Sequence, residues 1–392
     1  MTKRLFDEDA YAVEFDAEVE ECEKDDALYR IVLNQTLFFP EEGGQSPDKG
    51  TIEDIAVCDV QVKQGVIYHY TKTPLEVGNT VHGKIDFEHR FSNMQQHGGE
   101  HIFSGLVHSA YGYDNVGFHL SDQIVTMDYN GVLTKEQVNE IEEKANKVIF
   151  SNIDILVSFP SKEEAEAIPY RSKKEIDGPL RLVTIPGVDI CACCAPHVRK
   201  TGEIGLLKVM SVQSYKGGVR LSILCGKRAL LAFRTKNETV GTLMADLSSN
   251  EDALLENVKK IKNTSMQYKQ KLSETAKIMV RREIEAIASG EKNVILFEEG
   301  LENTTARNIV NEMVERFDGI TGIFTSSDND SDSDITSFSF ILASKDTDMK
   351  PVAAVLKEKL NAKGGGSSAM IQGSVTATRE AILKCLGNNK LK

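Results

Sequence analysis

Two histidines four residues apart, His97 and His101, are the first residues in this chain whose type and spacing could do chemistry. In a helical segment that spacing puts both imidazoles on one face, within reach of a single ion. A second element, Cys191-Ala-Cys-Cys-Ala-Pro-His197, gathers thiols and an imidazole in a turn, with Cys193 and His197 as the matching pair. Two such pairs supply the nitrogen and sulfur donors of tetrahedral zinc, so one Zn²⁺ per chain is the expected cofactor. Which of Cys191, Cys193 and Cys194 ligates stays open here. A closed zinc site that only staples the domain is the plain alternative. Gly98 and Gly99, between the histidines, each cost a helix about 1 kcal/mol relative to Ala. Something must therefore need close access to this backbone, and a substrate end is one candidate.

The run from His97 to His101 also fits H-x-x-E-H, the inverted zinc-peptidase pattern in which Glu100 is the general base. That reading expects a carboxylate as third ligand, whereas the remote partners here are a cysteine and a histidine. Glu100 could still position or deprotonate a water beside His97 and His101; a solvated helix-surface glutamate is the plainer expectation. A third element, Thr36-Leu-Phe-Phe-Pro-Glu-Glu-Gly-Gly-Gln45, places Gly43, Gly44 and polar side chains just after a strand, where an ordinary β-turn is the simplest account. His119, in Gly117-Phe-His119, reads equally well as a core histidine.

A net charge of −13 argues against a generic nucleic-acid binder, because affinity for phosphate comes from neutralising cations. The distribution qualifies this. Residues 199–236 hold nine Lys and Arg against the single acid Glu203, and Lys200, Lys208, Lys216, Arg220, Lys227 and Arg228 form a candidate polyanion surface. The acidic N-terminus does not resemble a secretory signal, and no apolar run reaches membrane-spanning length. Four scattered cysteines and one crowded group of three argue for metal chemistry over disulfides. A cytoplasmic chain with reduced thiols, away from membranes, is expected.

The elements that must position these residues follow from the patterning. Short alternating runs at 27–33, 51–62 and 65–70, punctuated by Pro40, Gly43, Gly44 and Gly50, predict a small antiparallel β-barrel-like domain over 1–88. From residue 88 apolar spacings turn helical, and Thr134 should cap a second helix over 134–149. With strands at 153–159, 180–185, 205–212 and 219–224, residues 89–230 read as an α+β zinc domain. Val240, Met244, Leu247, Leu254, Val258, Ile261, Tyr268 and Leu272 follow a seven-residue repeat interrupted at Glu251 and Ser265, predicting a long helix, coiled coil or helical hairpin over 231–289. Residues 290–392 read as a separate α/β domain with strands at 293–297, 319–324 and 337–343, helices at 349–361 and 376–386, and a serine-rich acidic loop at 326–334. The fold class is multidomain α+β.

Taken in order, Thr36 to Gln45, Gln96 with His97 and His101, Gly117-Phe118-His119, and Asp189 with Cys193, His197 and Val198 running on to Gly205, resemble the AlaX-type alanyl-tRNA editing proteins, relatives of the editing half of alanyl-tRNA synthetase. The likeness covers about residues 30–230, and Gly364 to Gly373 is similar to the DHH-associated domain of the long form. The resemblance implies His97, His101, Cys193 and His197 as zinc ligands, and Gly43, Gly44, Gln45 and His119 around the aminoacyl end. It implies Thr36 as the residue that accepts serine and excludes alanine. The implied activity is hydrolysis of Ser-tRNA(Ala), and often Gly-tRNA(Ala), with tRNA(Ala) as partner and the C-terminal domain docking tRNA or forming a homodimer. A catalytically inactive adaptor with the same zinc is the alternative. Three positions depart from the family pattern: Glu42 replaces a glycine, Gly98 a small hydroxyl residue, and Cys193-Cys-Ala-Pro-His197 the usual Cys-Gly-Gly-Thr-His.

Overall fold

The computed structural model describes residues 1–172, 180–288, 290–326 and 335–387. The chain divides into two compact units, Met1–Gly241 and Thr242–Lys392. The whole is a multidomain α+β protein with several sheets.

In the first unit, six strands close a barrel in the order Glu14–Asp25, Leu28–Leu33, Val66–Thr71, Ile55–Lys63, Gly50–Ile52, Thr80–Ile85. The acidic N-terminal stretch is its longest strand. Phe15, Ala17 and Val19 alternate inward while Glu14, Asp16 and Glu18 face solvent, the period-two pattern of a half-buried strand. The acidic charges of this stretch are thus one face of a barrel strand whose other face joins Ile31, Leu33, Phe38, Ile52, Val60 and Ile67 in the core.

Asp86 then caps the 25-residue helix Phe87–Tyr111, its side chain accepting the His89 N–H at 3.0 Å, and Gly112 ends it at φ 69°. This site helix is covered almost all round, with fifteen of its residues buried, many of them polar. A four-stranded sheet runs in the order Leu207–Tyr215, Gly218–Cys225, Val125–Tyr129, Asn115–Leu120, and a three-stranded one in the order Leu156–Ser158, Leu182–Ile185, Asp189–Ala192. Thr134 caps the helix Lys135–Phe150 in a full capping box with Gln137, as expected from sequence. Met94, Ile102, Phe103 and Val107 of the site helix share one core with Val138, Ile141 and Leu221.

The heptad region is two helices, Gly226–Asp246 and Glu251–Ala286, interrupted where Asn250 caps the second by accepting the Ala253 N–H at 2.9 Å. The second unit also holds a five-stranded sheet ordered Ile295–Glu299, Thr321–Ser326, Thr336–Ala343, Met370–Ala377, Lys363–Gly366, with helices Asn303–Arg316, Met349–Leu360 and Arg379–Cys385. The glycine-rich tail forms an edge hairpin, and the last helix begins three residues later than expected, because Met370–Ala377 pairs along the whole of Thr336–Ala343. Residue 289, expected at the end of the long helix, and 327–334 of the expected acidic loop lie outside the described residues. Among the described residues no helix is long and apolar enough to cross a membrane.

Candidate metal centre

His97 and His101 project from the site helix toward Cys193 and His197, which sit in the irregular segment after the strand Asp189–Ala192. One donor atom from each of the four lies within 4.8 Å of all the others. Cys193 Sγ is 3.5 Å from His97 Nε2 and 3.3 Å from His197 Nε2. The three histidines are 96–99% buried. Burial alone would raise the Cys193 thiol, but the imidazoles of His97 and His197 and hydrogen bonds from His101 and His197 outweigh it and hold the thiol well below its usual range. That favours the thiolate, the form that ligates metal. Burial pushes His197 down to about 3, which keeps it neutral. Soft and borderline donors converging on one point fit a zinc ion.

The outer ring nitrogens are held from behind. His97 Nδ1 is 2.8 Å from Gln45 Oε1, and His101 Nδ1 is 3.1 Å from Asp189 Oδ2. Asp189 is itself gripped by Arg171, which donates from Nε and Nη2 at 2.7 and 2.9 Å. Burial would raise the Asp189 carboxyl, yet these two donors hold it below the usual carboxylate range. Such carboxylate–imidazole pairs set the tautomer that turns Nε2 toward a metal. Cys191 lies beside His101 and Asp189 rather than completing the first group. The thiol of Cys194 lies 3.6 Å from where a Gly43 Cβ would stand, and burial raises its pKa.

The glycine-rich segment borders this centre. Gly43 and Gly44 have φ of 64° and 86°, a conformation side chains rarely adopt, and a Cβ on Gly44 would meet the Phe118 carbonyl oxygen at 2.3 Å. The Leu120 N–H donates to Gly44 O at 2.7 Å, fastening the loop to the strand Asn115–Leu120. Gln45 is fully buried, and its Nε2 meets no partner among the described residues. Thr36 is placed inside the barrel, its hydroxyl 2.9 Å from His69 Nε2 and accepting the Phe38 N–H at 3.0 Å. His119 is exposed on its strand. Its neighbour Phe118, which the sequence marked only as the middle of the Gly117-Phe118-His119 motif, lies 4.8 Å from the His97 ring centroid to centroid.

Two expectations change. Glu100 is fully buried rather than solvated, its carboxylate accepting from Ser104 at 2.7 Å and Asn115 at 2.6 Å. Gly98 and Gly99 admit protein rather than a substrate end: a Cβ on Gly99 would meet Cys225 Sγ at 2.3 Å, and one on Gly98 would meet Ile204 at 3.0 Å. The basic segment is laced to the chain's own acids. Lys200 pairs with Asp154 at 2.6 Å, Lys208 with Glu142 at 2.5 Å, Arg220 with Asp128 at 2.6 Å, and Lys227 with Glu88. Arg228 bonds Ser92, Asn93 and the Ser121 carbonyl, and Lys216 lies over the Tyr215 ring at 5.1 Å.

Residues 7–89 match the family of tRNA synthetases class II (A), and residues 180–221 match the threonyl and alanyl tRNA synthetase second additional domain. The chain is 32% identical over 280 residues to the alanyl-tRNA editing protein Aarsd1 of Rattus norvegicus, covering 67% of this chain and 68% of that protein. It is 27% identical over 404 residues to the alanyl-tRNA editing protein AlaX-L of Pyrococcus horikoshii, covering 97% of this chain and 96% of that one. Among solved structures, the C-Ala domain of Aquifex aeolicus alanyl-tRNA synthetase matches 26% of this chain and 97% of its own at 20% identity, with a TM-score of 0.21. With the rat relative matched over two thirds of both chains, this chain belongs to the family of alanyl-tRNA editing proteins.

Proposed function

We propose that this protein is a free-standing deacylase that hydrolyses the aminoacyl ester of tRNA(Ala) mischarged with serine, and with glycine as a second substrate. The observation that carries the reading is the convergence of His97, His101, Cys193 and His197 within 4.8 Å, beside the glycine-rich segment, in a chain of the editing family. Held by those four residues, Zn²⁺ would polarise the ester carbonyl and bring a water's pKa toward about 7. Gln45 and Asp189 orient the His97 and His101 rings. The spare amide N–H of Gln45 is a donor for oxygen charge developing beside His97. Gly43 and Gly44 let backbone approach the aminoacyl end, with His119 at the margin. Glu100, held by Ser104 and Asn115, braces the helix that carries both histidines.

Thr36 selects serine in this reading, its hydroxyl exchanging His69 for the substrate hydroxyl; a site built to bond a hydroxyl is left unpaired by alanine. Lys200, Lys208, Arg220 and Lys227 receive tRNA phosphates in place of the chain's own carboxylates, and Lys216 and Arg228 extend that surface. In this reading residues 1–88 form the barrel domain with the glycine-rich motif, 89–230 the zinc editing domain, 231–289 a coiled-coil linker and 290–392 a DHH-associated domain that docks tRNA or dimerises, in a cytoplasmic protein. The test is release of amino acid from Ser-, Gly- and Ala-tRNA(Ala) by wild type and Thr36→Val. Serine and glycine release with alanine spared supports the reading. Thr36→Val should erode Ser-over-Ala discrimination more than the rate, and equal losses on both substrates would return Thr36 to a purely structural place in the barrel.

A further inference from the structure

Three of the four converging residues are anchored, two by the side chain and one by the main chain, and the fourth is not. His97 has Gln45 at its outer nitrogen, at 2.8 Å. His101 has Asp189 at 3.1 Å, with Arg171 locking that carboxylate in two hydrogen bonds. Cys193 is held through its main chain: its N–H donates to the Arg181 carbonyl at 3.1 Å, and Arg181 Nη1 donates back to the carbonyls of Cys193 and Ala195 at 2.8 and 2.9 Å. His197 differs on two independent counts. Its ring is 96% buried, yet among the described residues Nδ1 meets no hydrogen-bond partner. Its backbone belongs to the irregular stretch after Pro196, two residues beyond the last carbonyl that Arg181 grips, whereas His97 and His101 ride on a helix.

From this asymmetry we infer that His197 is the displaceable ligand of the zinc site, the residue whose Nε2 lone pair gives way to a substrate or water oxygen. The inference rests on the zinc reading above and answers a difficulty in it. Four protein ligands bound at once make a closed, structural centre, whereas a catalytic zinc keeps one position for water or substrate. A ring without an outer partner is the weakest of the three imidazoles, since such partners contribute about 10–100-fold to metal affinity. Ligand exchange needs no oxidant or co-reactant; one neutral donor replaces another.

The experiment is zinc affinity by competition with a chromophoric chelator, for full-length wild type, His97→Ala, His101→Ala and His197→Ala, with azide titrated into the cobalt-loaded wild type and His197→Ala. The expected ranking has His197→Ala binding zinc about 10–100-fold more tightly than the other two variants, and taking up azide at lower concentration than wild type. Gln45→Leu, which leaves His197 in place, is expected to weaken zinc by about 10–100-fold by stripping His97 of its support. It carries the test if His197→Ala does not fold. Equal affinities for the three histidine variants, or no loss in Gln45→Leu, overturn the assignment of His197 and leave the zinc reading standing. A wild type that binds no zinc defeats both.

Discussion

Removing the carboxylate of Asp48 should unfold this protein far more readily than removing any surface charge. Asp48 and Arg90 face each other with both side chains fully buried. Arg90 Nε donates to both carboxylate oxygens at 2.9 Å, and Nη2 donates to Asp48 and to Leu37 O. Nη1 donates to Ala10 O at 3.1 Å, and the Phe39 N–H donates to Asp48 at 2.7 Å. Asp48→Ala strands a desolvated guanidinium on two carbonyls and orphans the Phe39 amide. Breaking one side of such a pair costs about 3–5 kcal/mol, or roughly 6–20 °C in the melting temperature of a unit this size. The pair also bears on the site, since Asp48 follows Gln45 by three residues and Arg90 precedes His97 by seven. Metal affinity should therefore fall with stability. Replacing both partners, Asp48→Leu with Arg90→Met, should recover most of the loss. The assay is thermal and urea unfolding of the full chain, with Glu14→Ala at the exposed Lys84 pair as control. A loss for Asp48→Ala no larger than the control, or a double variant as unstable as the single, would refute the reasoning.

Three further outcomes follow from the same geometry. Gly99→Ala gains about 1 kcal/mol of helix propensity but drives a methyl onto Cys225, an overpacking cost of about 1–3 kcal/mol, so it should be neutral to destabilising in urea unfolding and be rescued by Cys225→Ala; clear stabilisation by the single variant would contradict the packing account. His69, fully buried, is pushed down to about 4 by desolvation, so the unfolded chain binds its proton first. Stability is intact above about pH 6.5 and is lost as pH falls toward about 4, by about 3 kcal/mol for this residue; His69→Gln should flatten that limb, and parallel profiles would contradict it. If all six basic residues reach phosphate, tRNA binding should weaken about 10³-fold between 50 and 200 mM salt, and a flat binding isotherm series would exclude that surface.

The ligand pairs were legible because each is local: four residues on a helix and four in a turn. What holds them was not. Asp189 is 88 residues from His101, and Gln45 is 52 from His97. No periodicity marks such partners, and only the motif order hinted at them. Glu100 misled because a helix carrying Asn93, Gln95, Gln96, His97 and Glu100 reads as having a solvated side, while the helix Lys135–Phe150 and the strands Asn115–Leu120, Asp189–Ala192 and Gly218–Cys225 pack around it. Met370–Ala377 hid as a strand because its glycine, serine and threonine content mimics a loop, and an edge hairpin tolerates that composition. The Thr134 cap was readable because capping chemistry lies within four residues.

The most direct test of the account is deacylation of Ser-, Gly- and Ala-tRNA(Ala) by metal-quantified protein, alongside His97→Ala and Cys193→Ala. The account predicts about one zinc per chain, release of serine and not alanine, and loss of both zinc and turnover in the two variants. Stoichiometric zinc with no release of serine or glycine would contradict it, and would make the protein a zinc-bearing adaptor.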